Sequence, residues 1–160
     1  MVMKTCATAV ESAETRLKSR VPADPGLFGV VFDAPQVAAA VGQHPHYAPA
    51  RGALEDLVRV KHRGYVERHS LTEVYSVMTR TPFRPPIYPG AALQLTEDQI
   101  LGHMTLVSLD NGEYIDVVRR AAQAGWIGGR IHDAIHLRCA AKMRCDRIYT
   151  FNLKDFRAIA

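Results

Sequence analysis

Short apolar runs alternate with longer amphipathic segments along this chain, and this alternation constrains the fold more than any other feature. Four runs have the length and composition of buried strands: LFGVVFDA, GYVERHS, MTLVSLD and CDRIYTFN. Strands that alternate with helices favour a mainly parallel sheet with helices on both faces. The sequence therefore predicts an α/β domain of the three-layer α/β/α sandwich class.

The predicted helices follow from composition and from capping residues. A helix is expected over residues 8–20, ahead of the first strand, and VPADPG ends it. Ser70 is expected to cap the helix LTEVYSVMTR, and Thr96 the helix LTEDQILGH. Gly125 is expected to end the helix NGEYIDVVRRAAQAG. TPFRPPIYPG, with four prolines, is predicted to be an exposed connection, and three further helices are expected in ARGALEDLVRVKH, GGRIHDAIHLRCAAKMR and LKDFRAIA.

Bulk composition permits several function classes and excludes few. With 160 residues, the chain is long enough for one domain with its own core. It has no apolar run of about 18 residues and no secretory core near its start, so a membrane span is not expected and a cytoplasmic location is. Cys6, Cys139 and Cys145 leave one cysteine unpaired under any disulfide scheme, which favours reduced thiols. The net charge of +4 permits an anionic partner such as RNA without requiring one.

Acidic and amide side chains fall where the predicted strands end. Asp33 closes the first strand, Glu73 is expected in the first turn of the helix after the second strand, and Asp133 lies near the start of a later helix. Asn152 and Asp155 follow the last strand. The carboxyl ends of parallel strands share one edge, so these side chains are expected to converge. Clustered carboxylates repel each other unless a cation neutralises them, and oxygen ligands favour Mg²⁺ or Mn²⁺, which support phosphodiester hydrolysis.

Each acid also has an explanation without chemistry. Asp33 is a suitable residue for a turn after a strand, and Glu73 is favourable near the positive end of a helix. Asp155 has the position of a surface or capping acid. Asp133 is harder to explain in this way, because its side of the helix carries apolar residues and a buried carboxylate needs a partner or a metal ion.

His132 and His136 flank Asp133 in the stretch HDAIH, which is similar to the zinc-binding pattern H-E-x-x-H. The zinc interpretation requires a glutamate beside the first histidine and a third protein ligand, and neither is present at a familiar spacing. The alternative is a semi-apolar packing face that also includes Cys139 and Met143. We favour packing for the histidines and a functional role for Asp133.

The order of these segments resembles the successive motifs of PIN-domain ribonucleases, and among them most closely the VapC-type toxins of bacterial toxin–antitoxin pairs. The resemblance rests on VVFDA, HSLTEVYSVMTR, GGRIHDAIHLRCAA and DRIYTFNLKDF, and it runs from about Leu27 to the C-terminus. It implies a PIN-like nuclease domain over residues 27–160, preceded by a helical extension over residues 1–26. It also implies a Mg²⁺- or Mn²⁺-dependent endoribonuclease.

The resemblance assigns roles to particular residues. Asp33, Glu73 and Asp133 would be the catalytic, metal-binding acids. Asn152 occupies the family's fourth acidic position, and Asp155, one turn further on, is the other candidate for that place.

The resemblance also implies supporting residues and partners. Thr150 would orient the acidic cluster through a hydrogen bond, and Arg130 would hold the RNA backbone together with the basic surface. The implied partners are an RNA substrate, a small antitoxin protein that covers the acidic pocket, and a second copy of the chain in a homodimer.

Two departures from the family pattern leave alternatives open. Pro35 replaces the polar side chain that the family usually has two residues after the first aspartate, and Asn152 replaces an acid. Together they are consistent with a catalytically weakened PIN-like domain that binds RNA or an antitoxin without cleavage. A phosphorylated α/β receiver domain with Asp33 as its acceptor is the other alternative, but the late-strand lysine that such domains usually carry is replaced by Thr150.

Overall fold

The computed structural model describes residues 29–32, 47–59 and 62–159. The sheet that it contains has four strands, namely β1 (Gly29–Phe32), β2 (Arg63–Glu67), β3 (Met104–Val107) and β4 (Arg147–Tyr149). Their order is β3-β2-β1-β4, and all three pairings are parallel. The predicted strands and their parallel arrangement are confirmed. The helix predicted over residues 8–20 lies outside the described residues.

Helices connect the strands in the order that the sequence indicates. They are α1 (Tyr47–Arg59), α2 (Arg68–Arg80), α3 (Pro89–Leu95), α4 (Asn111–Ala124), α5 (Arg130–Lys142) and α6 (Leu153–Ile159), and a π-helical segment, Thr96–Leu101, continues α3. The sharpest boundaries are those of α4. Asp110 and Glu113 form a reciprocal capping box at its start, and Gly125 ends it in the left-handed conformation with φ of 68°.

Side chains alternate between the two faces of the sheet and divide the core into two clusters. Phe32 and Val66 point to the face that is covered by α1, α2 and α3. Val31 and Tyr65 point to the face that is covered by α4, α5 and α6. The predicted three-layer α/β/α sandwich is therefore confirmed. No helix of the described residues has both the length and the apolar content needed to cross a membrane.

Two predicted helix caps are wrong. Ser70 is fully buried inside α2, because the helix begins at Arg68 and its N-cap is Glu67. Thr96 does not cap a helix, because α3 begins seven residues earlier at Pro89 and continues directly into the π-helical segment. The hydroxyl of Thr96 instead donates to the carbonyl oxygen of Ala92 at 2.8 Å, a bond that a buried threonine inside a helix commonly makes.

Candidate active site

Glu67 ends β2 at the carboxyl edge of the sheet, and its carboxylate is almost fully buried at 2% exposure. Its Oε2 accepts hydrogen bonds from the backbone N–H groups of His69, at 2.7 Å, and Ser70, at 3.3 Å. The hydroxyl of Tyr114 on α4 donates to Oε1 at 3.1 Å. Three neutral donors and the positive end of α2 therefore stabilise this buried acid. Glu67 was not predicted from the sequence, although it closes an apolar strand as Asp33 does.

Glu73 is the sixth residue of α2 and therefore lies in its second turn, not in the first turn as predicted. The difference arises because Glu67, rather than Ser70, starts the helix. The Oε1 atom of Glu73 lies 3.7 Å from Nε2 of His69, and 40% of the Glu73 side chain is exposed. The carboxylate is thus accessible to a ligand.

A cavity of about 230 Å³ opens between α2, α4 and α5. The described residues that line it are Glu67, His69, Glu73, Tyr114, His132, Ile135 and His136. Glu67 and His136 form its buried floor, whereas His69 and His132 are exposed at its rim. We call this space the histidine cavity.

Asp133 is the fourth residue of α5 and is half-buried. Burial and the negative charge of Asp155 raise the pKa of its carboxyl group to about 6, against a smaller lowering by His132. The side-chain amide of Asn152 donates to its Oδ2 at 3.4 Å. A carboxylate whose charge is disfavoured by burial and by another acid gains stability when a cation binds nearby.

The turn after β4 brings the remaining predicted residues to the same place. Thr150 is buried, and its hydroxyl accepts a hydrogen bond from the backbone N–H of Asn152 at 2.9 Å. Nε of Arg130, at the start of α5, lies 3.9 Å from Oδ1 of Asp155. Asp133, Asn152 and Asp155 therefore lie close together, as expected from their positions at strand and helix ends, and Arg130 lies beside Asp155.

The two histidines of α5 have different environments. His136 is 6% exposed, and its ring stacks on Phe156 with 6.3 Å between centroids. Its Nδ1 has no hydrogen-bond partner in the described part of the chain. Burial, followed by the charges of His132 and His69, lowers the pKa of His136 to about 4, so the ring is neutral at pH 7. His132 is exposed and its ring stacks on that of His69, with 5.9 Å between centroids and 15° between planes. His132 and His136 therefore do not share one environment, since one is exposed and the other is buried.

The described part of the chain contains no group of three or more His, Cys, Asp or Glu side chains arranged to hold a metal ion. The zinc interpretation of His132 and His136 therefore has no third ligand among these residues. Asp33 lies outside the described residues. Phe32, which precedes it, pairs with Val66 of β2 and Tyr149 of β4.

Comparison with known proteins identifies the family. The PIN domain model matches residues 30–160, which is most of the chain. The chain belongs to the PIN domain family. The match begins in β1 and includes every candidate residue of the acidic site. No curated protein sequence matches this PIN domain.

A solved structure has the same fold. This PIN domain is similar to a chain of the VapBC2 complex of Rickettsia felis, whose crystal structure was determined with a DNA fragment from its promoter. The similarity has a TM-score of 0.59 and 17% sequence identity, and it covers 82% of this chain and 92% of the other. At this identity the comparison supports the fold.

Proposed function

We propose that this PIN domain is a Mg²⁺- or Mn²⁺-dependent endoribonuclease and the toxin of a toxin–antitoxin pair. PIN domains are generally nucleases. The observation that carries the proposal is the half-buried carboxyl group of Asp133, which has a raised pKa and lies beside Asn152 and Asp155 at the carboxyl edge of a parallel sheet. Ligand and metal sites of open parallel sheets lie at this edge.

The proposed ligands are the carboxylates of Asp33, Glu73 and Asp133, with Asn152 or Asp155 completing the set. All of their donor atoms are oxygens, which fits Mg²⁺ or Mn²⁺ and does not fit zinc or copper. A divalent ion supplies a water of lowered pKa and neutralises charge on the phosphate oxygens. Because the described acids do not form a metal-binding group by themselves, the proposed set requires Asp33.

The neighbouring residues position these ligands and the RNA. Thr150 fixes the backbone of Asn152, and the Asn152 amide in turn contacts Asp133. The guanidinium of Arg130 stands next to Asp155 and is 46% exposed, so it is placed to contact a phosphate of the RNA strand. The chain's net charge of +4 favours the approach of a polyanion.

The proposed partners are an RNA substrate, a small antitoxin and a second copy of the chain, in a cytoplasmic location. The resemblance of the four sequence motifs to VapC-type toxins supports the antitoxin. The shared fold with a chain of the Rickettsia felis VapBC2 complex is consistent with it.

RNA cleavage tests the nuclease proposal. We expect products with Mn²⁺ or Mg²⁺ and none with EDTA, and we expect Glu73→Gln and Asp133→Asn each to reduce cleavage at least about 100-fold, because each removes a charged ligand. Glu97→Gln and Asp116→Asn are matched controls, since both acids are exposed and Asp116 pairs with Arg119 on the outside of α4. Unchanged cleavage in both site variants would contradict the assignment.

The alternative is a domain that binds RNA or an antitoxin without cleavage. The observation that favours it is Asn152, whose neutral amide occupies the position of the family's fourth acid. Under this alternative, RNA would bind in EDTA, no products would form with Mn²⁺, and a titration with Mn²⁺ would show no saturable binding that Asp133→Asn abolishes.

A further inference from the structure

The histidine cavity has properties that the proposed hydrolysis does not use. Buried polar atoms in folded proteins nearly always have hydrogen-bond partners. His136 is only 6% exposed and lines the cavity floor, yet its Nδ1 has no hydrogen-bond partner among the residues that the structure describes. An unpaired polar atom beside an open cavity leaves a hydrogen bond that a polar ligand or an ordered water can complete.

The charge of the lining restricts the chemistry of that ligand. Glu67 and Glu73 contribute two carboxylates, and neither lysine nor arginine is among the described lining residues. A phosphate would therefore be repelled. A neutral group that donates hydrogen bonds would be favoured, because carboxylates only accept them.

The shape of the cavity adds a second restriction. Its volume of about 230 Å³ is below the roughly 300 Å³ at which small-molecule pockets usually begin, so it admits a single ring system. The exposed rings of His69 and His132, 15° from parallel, supply flat faces at its rim. Unstacked RNA bases bind by stacking on such side chains, with hydrogen bonds to their edges.

We propose that the histidine cavity binds one unpaired nucleobase that carries an exocyclic amino group, namely cytosine, adenine or guanine, in the RNA that the neighbouring acids cleave. The base stacks on the outward face of the stacked His69–His132 pair. Glu67 accepts from its amino group through the lone pair of Oε1 that Tyr114 leaves free. The cavity shares Glu73 with the proposed metal site, so the bound base is next to the reacting phosphate. The inference rests on the proposed function for the identity of the substrate, and it makes this cavity the source of base preference at the cleavage position.

A double-mutant cycle, with one change in the protein and one in the RNA, tests the proposed binding of a base. Fluorescence anisotropy would measure the affinity of the full-length protein, in EDTA and low salt, for a single-stranded RNA of mixed sequence in which each position in turn is made abasic. We expect one position at which base removal weakens binding of the unsubstituted protein about tenfold. In the His69→Ala/His132→Ala double variant the same base removal should have no further effect. His103→Ala, which removes an exposed imidazole at the opposite edge of the sheet, should retain the tenfold response.

Two outcomes overturn the inference. One is an equal response to base removal in the unsubstituted protein and the double variant, and the other is no measurable binding of any RNA. Cytidine at the sensitive position should bind more tightly than uridine, which lacks the amino group, and equal affinities would refute the role of Glu67. Because these measurements are made in EDTA, loss of the proposed nuclease function alone would appear as absent cleavage with the binding cycle intact.

Discussion

His136 and Asp133, one turn apart on α5, are expected to contribute to the stability of this protein with opposite dependences on pH. Burial lowers the pKa of His136 to about 4 from an ordinary value of 6.5. As the pH falls below 6.5, the unfolded chain takes up a proton at this histidine and the folded chain does not until about pH 4. The contribution of the neutral His136 to the free energy of unfolding is therefore fully present above pH 6.5 and is lost as the pH falls from 6.5 to 4.

Asp133 has the opposite sign. Burial and Asp155 raise the pKa of its carboxyl group to about 6 from 3.8. Between pH 3.8 and 6 the folded protein holds a proton on Asp133 that the unfolded chain has released. The contribution of Asp133 to the free energy of unfolding is therefore most favourable at low pH and falls as the pH rises from 3.8 to 6. We expect this loss of stability in the metal-free protein, because a cation bound near Asp133 would offset it.

The magnitudes follow from these values. For His136 the step from 6.5 to about 4 corresponds to about 3 kcal/mol, at about 1.4 kcal/mol per tenfold change in acid dissociation. For Asp133 the same conversion gives about 3 kcal/mol, but solvent reaches this half-buried carboxylate and screens it, so about 1 kcal/mol is a better expectation.

Urea unfolding in EDTA at pH 7.5, 5 and 4 tests both expectations. His136→Phe keeps a flat ring against Phe156 and removes the titrating group. Its free energy of unfolding relative to the unsubstituted protein should rise by about 3 kcal/mol between pH 7.5 and 4. Asp133→Asn should be more stable by about 1 kcal/mol at pH 7.5 and equal at pH 4. Stability curves that run parallel for all three proteins would refute the reasoning.

Two further changes test local features of the fold. Glu67→Ala removes the cap of α2 and leaves the Tyr114 hydroxyl without its acceptor, so it should lower the free energy of urea unfolding by about 3 kcal/mol. Tyr114→Phe alone should cost about 1 kcal/mol, and added to Glu67→Ala it should cost nothing more. Additive losses would contradict the hydrogen bond between the two side chains. Gly125→Ala should cost about 1 kcal/mol through its positive φ alone, since no atom of the described residues lies within 4 Å of the added methyl group. Gly90→Ala, equally open but without a positive φ, should cost nothing, and equal effects of the two would show that backbone strain is not the cause.

The sequence predicted the fold well because its strongest signals are local. Apolar runs, the capping box at Asp110 and the glycine at 125 each act within a few residues, and parallel topology follows from their alternation. The caps at Ser70 and Thr96 failed because serine and threonine are ambiguous: both residues are buried in helices that start earlier. Glutamate is not among the favoured N-cap residues, so Glu67 gave no capping signal.

The site was predictable to the extent that chain topology determines it. Asp133, Asn152 and Asp155 meet because a helix start and a strand end share one edge of the sheet. The histidine cavity was not predictable in this way, because it depends on the rotation of α2, α4 and α5 about their axes. That rotation is set by tertiary packing and not by spacing in the sequence.

The environment of His136 has a consequence for the acids beside it. A histidine one turn from Asp133 would be a natural counter-charge, but burial against Phe156 keeps its ring neutral at pH 7. Arg130 approaches Asp155 only to 3.9 Å, and Asp133 forms no ion pair within the described part of the chain. The fold thus holds Asp133 and Asp155 close together with a neutral His136 beside them, and the adjacent His132 offsets only a smaller part of the unfavourable charge. Such an arrangement is costly in the free protein and is relieved when a divalent cation binds, which is the physical reason to look for one at this edge of the sheet.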